Sequence, residues 1–515
     1  MEYVLAYDLG TSAVKAVLVT CDGAVAGSAM ETYPLYVPFE SYAEQEPEDY
    51  WKSVCASTKR VLAETKTDPA SILGIAFCSQ WKGIIPLDSE NKVLSRSIIW
   101  LDARAKKEAA KLNKILQFNY FKEKVFGFKP SSRLNAALGR DILCGADYWP
   151  KLMWYRNNLP ELYDKTKIIL ECNSYVKWRA TGKMAVDMTN HFTRSFSPST
   201  QGFYNLILKL AKVDPGLFPE IIMPTDLVGG VTKNASVEMG LNAGTPVFGG
   251  CSDIPAISVG SGCGELGDTH AYLGSSGWLS SMVRSKEGFL STSPFNKEND
   301  LLMFGYQAIG LALDWAIRQY YASEYEALGS GVYEFIGNEC MAVKAGSDGV
   351  LATHWMFGER PPFFSDRARG AFVNLNNTHT RAHMVNAVME SVCYTIRMSL
   401  DALRNGTRRE VNMMRAVGGC ADSDHWMQML SDVLCIPVEV PSNPRHAGAI
   451  GTAYCALIGL GICKDFSEAK TRIQIRKRYE PRVETAPTYE KALSAYKKLY
   501  RALEGIGWRE SNPAR

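Results

Sequence analysis

Two short segments lying 264 positions apart constrain this chain of 515 residues more than any other feature. Leu9-Gly10-Thr11-Ser12-Ala13 leads into an apolar-rich run ending at Leu18-Val19. Leu273-Gly274-Ser275-Ser276-Gly277 leads into another, ending at Met282-Val283. Each reads as strand, tight Gly-Ser/Thr turn, strand, because glycine permits a sharp reversal and the flanking residues suit a pleated surface. The echo implies two similar α/β domains divided near Gly249-Gly250, each presenting a hydroxyl-rich hairpin to a shared cleft. Residues 3–7, 16–20, 72–77, 98–101 and 246–248 read as strands. Pro47-Glu48-Asp49 opens a helix with proline and acids in its first turn, and Trp51, Val54, Thr58, Val61 and Leu62 form its apolar stripe. Tyr489, Leu493, Tyr496, Tyr500 and Leu503 form a second stripe, which Gly505 is expected to stop.

Composition excludes several classes of function. Lys and Arg number 57 against 54 Asp and Glu, and so small an excess leaves no basic field for nucleic acid. The 13 cysteines are scattered without a C-x-x-C pair, the pattern of reduced cytosolic thiols, so a cytoplasmic location is expected. The N-terminus lacks a basic n-region. The longest uncharged apolar stretch, 447–463, carries four glycines and is short of a membrane span.

Ala6-Tyr7-Asp8-Leu9-Gly10-Thr11-Ser12-Ala13-Val14-Lys15 places a carboxylate at a strand end, then a glycine turn with two hydroxyls, then a cation. Gly10 lets backbone N–H groups approach phosphate oxygens, Thr11 and Ser12 donate to them, and Lys15 adds a point charge. Asp8 suits Mg²⁺, which takes one or two carboxylates and keeps several waters. The G-x-x-x-x-G-K-[ST] loop is absent, so this is no P-loop, and a plain hairpin turn is the competing reading of the same residues.

Further motifs occur in a fixed order. They are Ala43-Glu44-Gln45-Glu46-Pro47-Glu48-Asp49-Tyr50-Trp51, Trp100-Leu101-Asp102-Ala103-Arg104, Pro150-Lys151-Leu152-Met153-Trp154, Gly249-Gly250-Cys251-Ser252-Asp253, Gly358-Glu359-Arg360-Pro361 and Gly418-Gly419-Cys420-Ala421. Gly370-Ala371-Phe372-Val373-Asn374-Leu375, with His383-Met384 and Ala387-Val388-Met389-Glu390 beyond it, adds a longer element. In this order, from Asp8 to about Gly459, the chain resembles the FGGY carbohydrate kinases, most closely their xylulokinase branch. The resemblance implies an α/β fold of two actin-like, ribonuclease-H-like domains around a central cleft. Residues 1–247 would form the sugar-binding domain with the first phosphate hairpin, and 248–515 the nucleotide-binding domain. Asn374 and Cys420 stand where many members carry glycine. Ser79-Gln80-Trp81-Lys82-Gly83 occupies the sugar loop but matches neither the Gln-Met-His-Gly of xylulokinases nor the Gln-Arg-Glu of glycerol kinases.

The resemblance also implies roles. Asp253, at the proposed border, matches the base that orients and deprotonates the acceptor hydroxyl. It also suits a helix N-cap before Ile254-Pro255, and the two roles are compatible. Asp8 and Asp253 are the candidate Mg²⁺ ligands. ATP contacts are expected from Gly10, Thr11, Ser12, Lys15, Gly274, Ser275, Ser276, Gly310, Asp314, Gly418 and Gly419, with Ser423 or Asp424. The sugar side is expected from Gln80, Trp81, Lys82, Asp102 and Asp253, with Trp81 equally readable as core. His379 and His383 have a metal-like i, i+4 spacing, but a helix start over 376–378 is the better reading. Trp149, Met153 and Trp154 read as core. Cys251 has no histidine in its motif and is no candidate nucleophile.

The expected activity is ATP-dependent phosphorylation of a small ketose, D-xylulose first, with ribulose, gluconate or glycerol as alternative acceptors. An actin- or Hsp70-like ATPase switch and a silent sugar sensor are rivals from other classes. The expected partners are sugar and ATP, with Mg²⁺ and without nucleic acid or membrane; a homodimer is the one assembly considered.

Overall fold

Both echoes are antiparallel hairpins, and the two sheets they belong to share one strand order except that the two strands at one edge are exchanged in sequence. The computed structural model describes residues 1–125, 143–196, 198–284, 292–294, 298–360, 365 and 367–506. Pro361 of the fifth motif lies outside them. The first hairpin joins β1 (Tyr3–Leu9) to β2 (Ala13–Thr20), and β3 (Val25–Thr32), β4 (Ile72–Ser79), β5 (Leu227–Gly230) and β6 (Pro246–Phe248) complete the order β5-β6-β4-β1-β2-β3. A short β7 (Cys251–Ser252) runs parallel to the end of β4. The second hairpin joins β8 (Thr269–Leu273) to β9 (Gly277–Arg284). With β10 (Asn299–Tyr306), β11 (Met414–Val417), β12 (Val438–Pro441) and β13 (Ile475–Tyr479) it gives β13-β12-β11-β8-β9-β10.

Strand directions repeat across both sheets, the exchanged edge pair included. In the first sheet β1 is antiparallel to β2 and parallel to β4, and β6 is parallel to β4 and antiparallel to β5. In the second, β8 is antiparallel to β9 and parallel to β11, and β12 is parallel to β11 and antiparallel to β13. A short sequence echo thus marks a repeat of the four-strand core of each sheet and of its strand directions.

The chain forms two compact units. One comprises Met1–Gly260, Val283–Leu301 and Gly448–Arg472, the other Ser261–Met282, Leu302–Ala447 and Ile473–Arg515. In the first, β1 is apolar on both faces, as a central strand covered on each side must be, and Val4, Leu5, Ala6, Tyr7 and Leu9 are fully buried. Tyr7 stacks on Phe77 at 4.7 Å, and its hydroxyl reaches Thr58 Oγ1 on α1 (Pro47–Thr65). The stripe expected on α1 is its buried face. Two more helices of this unit bear on the site: α2 (Tyr148–Asn158), which buries Trp149 and Met153 as expected of core residues, and α3 (Cys172–Thr181). α4 (Asp253–Gly260) follows β7. The second unit carries α5 (Gly310–Tyr320), α6 (Arg381–Thr407) and α7 (Asp424–Leu434). α8 (Ala447–Gly459) returns to the first unit almost without clearance. A Cβ on Gly451 would lie 1.8 Å from the Ala256 carbonyl, and one on Gly459 2.4 Å from the Phe248 ring.

Three local expectations need correction. The strand expected at 98–101 is only Ser97–Ile98, because Asp102 N–H closes a turn onto the Ile99 carbonyl (3.1 Å). Gly505 does not stop α9 (Ala486–Ile506), and Leu499 joins Tyr489, Leu493 and Tyr496 in its buried face, with Tyr500 and Leu503 half-buried. The cap of α6 is Thr380, later than the 376–378 candidates, because His383 turns back so that its Nδ1 meets the Thr380 N–H and side chain. That places His379 outside the helix and uses the His383 ring in a capping box. Asn374 has a φ of 67°, the left-handed conformation that favours glycine and that asparagine also tolerates. Among the described residues, no helix is long and apolar enough to cross a membrane.

Candidate active site

The end of β1 sets Asp8 directly opposite Lys15 on β2 and Cys78 on β4. Lys15 Nζ lies 3.6 Å from Asp8 Oδ2, and Cys78 Sγ lies 3.6 Å from Oδ1. The first turn of α8 comes so close that a Cβ on Gly448 would sit 3.0 Å from Asp8 Oδ2.

Asp253 is held beside this group by a segment with no slack. Gly250 has a φ of +67°, and a Cβ there would meet the Phe77 carbonyl at 2.0 Å, so only glycine lets the chain pass. Lys177 Nζ donates to the Gly249 carbonyl (2.7 Å), Asn173 Nδ2 to the Cys251 carbonyl (3.2 Å), and Ser252 N–H to Thr189 Oγ1 (2.7 Å). Asp253 is the first residue of α4, inside the helix and not ahead of it as an N-cap would be, and its carboxylate accepts from the adjacent Ile254 N–H at 2.9 Å. Its carboxyl is pushed up to about 7, first by loss of solvation and then by the charge of Asp8. A half-buried carboxylate at that value is poised to take a proton near neutrality. Cys251 is buried against Cys455, Sγ to Sγ 3.8 Å, and its thiol is pushed far up, mainly by that contact and by burial, so it is no nucleophile.

On the expected sugar side, Gln80 N–H donates to the Leu9 carbonyl (2.9 Å), tying this loop to the first hairpin. Gln80 Nε2 donates to Gln45 Oε1 (2.7 Å), Gln45 Nε2 donates to the Thr11 carbonyl (2.6 Å), and Trp100 Nε1 donates to Thr11 Oγ1 (2.9 Å). Gln80 Oε1 is buried with no partner among the described residues. Gln45 lies in a motif read from the sequence, yet nothing there distinguished it from its neighbours; its role comes from contacts made far along the chain. Trp81 donates to the Thr189 carbonyl (3.0 Å) and sets its ring against Phe192. Lys82 adopts a left-handed backbone, φ 62°, and pairs with Asp147 at 2.6 Å. Asp102 is wholly buried: Ala43 N–H donates to it, and the Arg104 guanidinium grips both of its oxygens (2.6–2.9 Å). It therefore holds Arg104, which also reaches Glu44 and lies over Tyr42 and Trp154.

In the second unit the structure brings Gly274, Gly310, Gly418 and Cys420 together. The N–H groups of Ile309 and Gly310 donate to the carbonyls of Ser275 and Gly274, both at 2.9 Å, which seats the second hairpin on the start of α5. Cys420 Sγ lies 3.9 Å from the Gly274 carbonyl. Gly418, at φ +100°, follows β11 so closely that a Cβ would meet the Leu273 carbonyl at 2.5 Å. Asp314, one turn along α5, faces Arg318 (2.7 Å). Ser423 Oγ caps α7, and Asp424 is held low by hydrogen bonds from Lys477 and then Tyr479. Arg445 and Arg476, which grip the neighbouring Asp422, were not singled out by the sequence.

Two α/β units with repeated sheets, each with a glycine-hydroxyl hairpin after its first strand, define the actin-like ATPase class of fold. Comparison with known proteins narrows this further. The model of the FGGY family of carbohydrate kinases, N-terminal domain, matches residues 3–260, and that of the C-terminal domain matches 257–460. A xylulose kinase of Bacillus subtilis is 27% identical over 514 residues, covering 97% of each chain, and a gluconokinase of the same organism is 26% identical over 98% of this chain and 96% of the relative. The crystal structure of a ligand-bound xylulose kinase from Lactobacillus acidophilus superposes with a TM-score of 0.80 at 23% identity, covering 99% of each chain. The chain belongs to the FGGY family of carbohydrate kinases and is an ATP-dependent sugar phosphotransferase.

Proposed function

We propose that the chain phosphorylates a hydroxyl of a small ketose, D-xylulose being the first acceptor to test, with Asp253 as general base. The carrying observation is the half-buried Asp253 carboxyl, held up at about 7 beside Asp8. The acceptor hydroxyl donates to Asp253, which orients it toward the γ-phosphorus and takes its proton as the new P–O bond forms. Gly10, Thr11, Ser12 and Lys15 contact phosphate oxygens, as do Gly274, Ser275 and Ser276. Gly310 and the bare backbone of Gly418-Gly419 receive the nucleotide, with Asp314, Ser423 and Asp424 at its margin. Gln80, with its unpartnered Oε1, and Trp81 and Lys82 contact the sugar; Asp102 acts through Arg104. In this reading the unit that holds Met1–Gly260 supplies the sugar side, the first hairpin and Asp253, and the unit that holds Leu302–Ala447 the nucleotide side.

The donor set fits Mg²⁺: two neighbouring carboxylates, Asp8 and Asp253, the charge of the first disfavouring ionisation of the second, suit a cation that takes one or two carboxylates. Those two would hold it, and it would supply neutralising charge at the transferred phosphoryl group. The thirteen cysteines, all free, support a cytoplasmic location.

Among the family's acceptors, gluconate carries a carboxylate and would call for an unengaged cation. Lys82 is already paired with Asp147, which supports a neutral ketose. The test is ADP release with D-xylulose, L-xylulose, D-ribulose, gluconate and glycerol. A ketopentose with the highest kcat/KM supports the reading, and gluconate or glycerol leading overturns it.

A further inference from the structure

Lys151 has no part in the reading above, yet its position is hard to explain as packing. It lies on α2, is completely buried, and sends Nζ to two backbone carbonyls, that of Lys82 at 2.7 Å and that of Ile99 at 2.9 Å. Among the described residues, no carboxylate lies within ion-pair distance of it. A buried ammonium without a paired acid is costly, and lysine is almost never fully buried unless something requires it. The ammonium is pushed down to about 7, first by burial and then by Lys82, with Asp102, Asp147 and Glu171 opposing. The two carbonyls belong to the two loops assigned to the sugar side, residues 79–83 and the turn that leads into 100–104.

The grip on Lys82 is double. Asp147 is the N-cap of α2 and takes the Lys82 ammonium at 2.6 Å. Lys151, one helical turn further, takes the Lys82 carbonyl. A non-glycine residue at φ 62° is in a disfavoured conformation and stays there only when its surroundings insist. The start of α2 supplies that insistence at side chain and backbone together. The Ile99 contact fixes the second loop from the same nitrogen.

We propose that Lys151 is a positioning residue for sugar recognition: it locks the left-handed backbone at Lys82 and the turn after Ile99 into one geometry, and so sets where Gln80, Trp81 and Lys82 meet the acceptor. This rests on the reading of residues 79–83 as the sugar loop. Lys151→Met keeps the length and apolar stem but leaves two carbonyls without their donor. The full chain carrying it should lose about 10–100-fold in kcat/KM for the best sugar, the worth of one or two hydrogen bonds to a charged group, while the KM for ATP stays within about two-fold. A merely structural role would lower both substrates' parameters together through loss of active protein, so the split between them is the readout. Trp81→Ala reports on the underlying reading. If it leaves the sugar KM unchanged, the loop is not the sugar side and the reading fails. If Trp81→Ala raises the sugar KM but Lys151→Met stays within about three-fold of the parent, the proposal for Lys151 alone is overturned. Should Lys151→Met not fold, Asp147→Asn, which removes the charge that pairs with Lys82 and keeps one amide oxygen for the Cys144 N–H that Asp147 also accepts from, carries the test. A sugar KM raised at least about three-fold with an unmoved ATP KM supports the double grip, and an unmoved sugar KM overturns it.

Discussion

If Asp253 is the base, catalysis must fail in acid at a pH set by its surroundings. An ordinary aspartate, near 3.8, would keep a kinase active down to about pH 5. Asp253 instead stands at about 7, because burial and then the charge of Asp8 disfavour ionisation. A base works only when deprotonated, and a raised value moves the acid limb upward. About half the carboxylate is ionised at pH 7 and about a tenth at pH 6, so kcat/KM for the sugar should fall about five-fold between them. Each further unit should cost about ten-fold, since one pKa unit is 1.36 kcal/mol. The assay is coupled ADP release from pH 5.5 to 9 at low fixed Mg·ATP, so that the free chain sets the limb. Asp253→Asn keeps the shape and removes the base; it should lower turnover by about 10²–10⁴-fold and abolish the limb. Asp8→Asn removes the second cause and should shift the midpoint to lower pH in whatever activity remains. A parental limb at or below pH 5, or the same limb persisting in Asp253→Asn, would refute the argument.

Further outcomes follow from distances already given. Asp8→Ala should raise the KM for Mg·ATP at least about ten-fold while calorimetry still detects sugar binding; parental kinetics across a Mg²⁺ titration would remove Asp8 from the phosphate site. Gly250→Ala places a Cβ 2.0 Å from the Phe77 carbonyl at a left-handed φ, and should cost at least about 2 kcal/mol in denaturant unfolding, whereas a change below about 0.5 kcal/mol would contradict the packing. Lys82→Met should flatten discrimination between the best sugar and its deoxy analogues, which a buried donor can raise to about 10⁴–10⁵; an unchanged substrate profile would place Lys82 outside the pocket.

The parts legible from sequence are those whose causes are local. A glycine turn between apolar runs is enough to specify each hairpin, and an acid-rich first turn with a regular stripe is enough for α1. The repeat of these local signals foretold the duplicated sheet, although nothing local encodes strand order. The rest turns on closures, near or far along the chain, that residue type and periodicity do not announce. Ile99 looks like strand until Asp102 closes a turn on its carbonyl, and Gly505 looks like a stop where α9 simply continues to its end. Asp102 reads as a sugar-side carboxylate, and no pattern reveals that Arg104, two residues on, folds back to hold both of its oxygens. Lys151 lies inside a motif, but its two carbonyl partners are 69 and 52 residues earlier, and the link between Gln45 and Gln80 spans 35.

The return of Gly448–Arg472 to the first unit has a consequence for the chain's birth. A ribosome delivers every strand of the first sheet by residue 252, but α8 arrives only after residues 261–447 have been made. At about 5–20 residues per second that interval is on the order of ten to forty seconds. Throughout it, the surfaces of Ala256 and Phe248 that α8 covers with almost no clearance stand open, and Asp8 lacks the glycine helix that closes over it. The nascent first half is therefore an unfinished object that a chaperone can hold, and the acidic pair at its centre gains its final neighbour only near the end of translation.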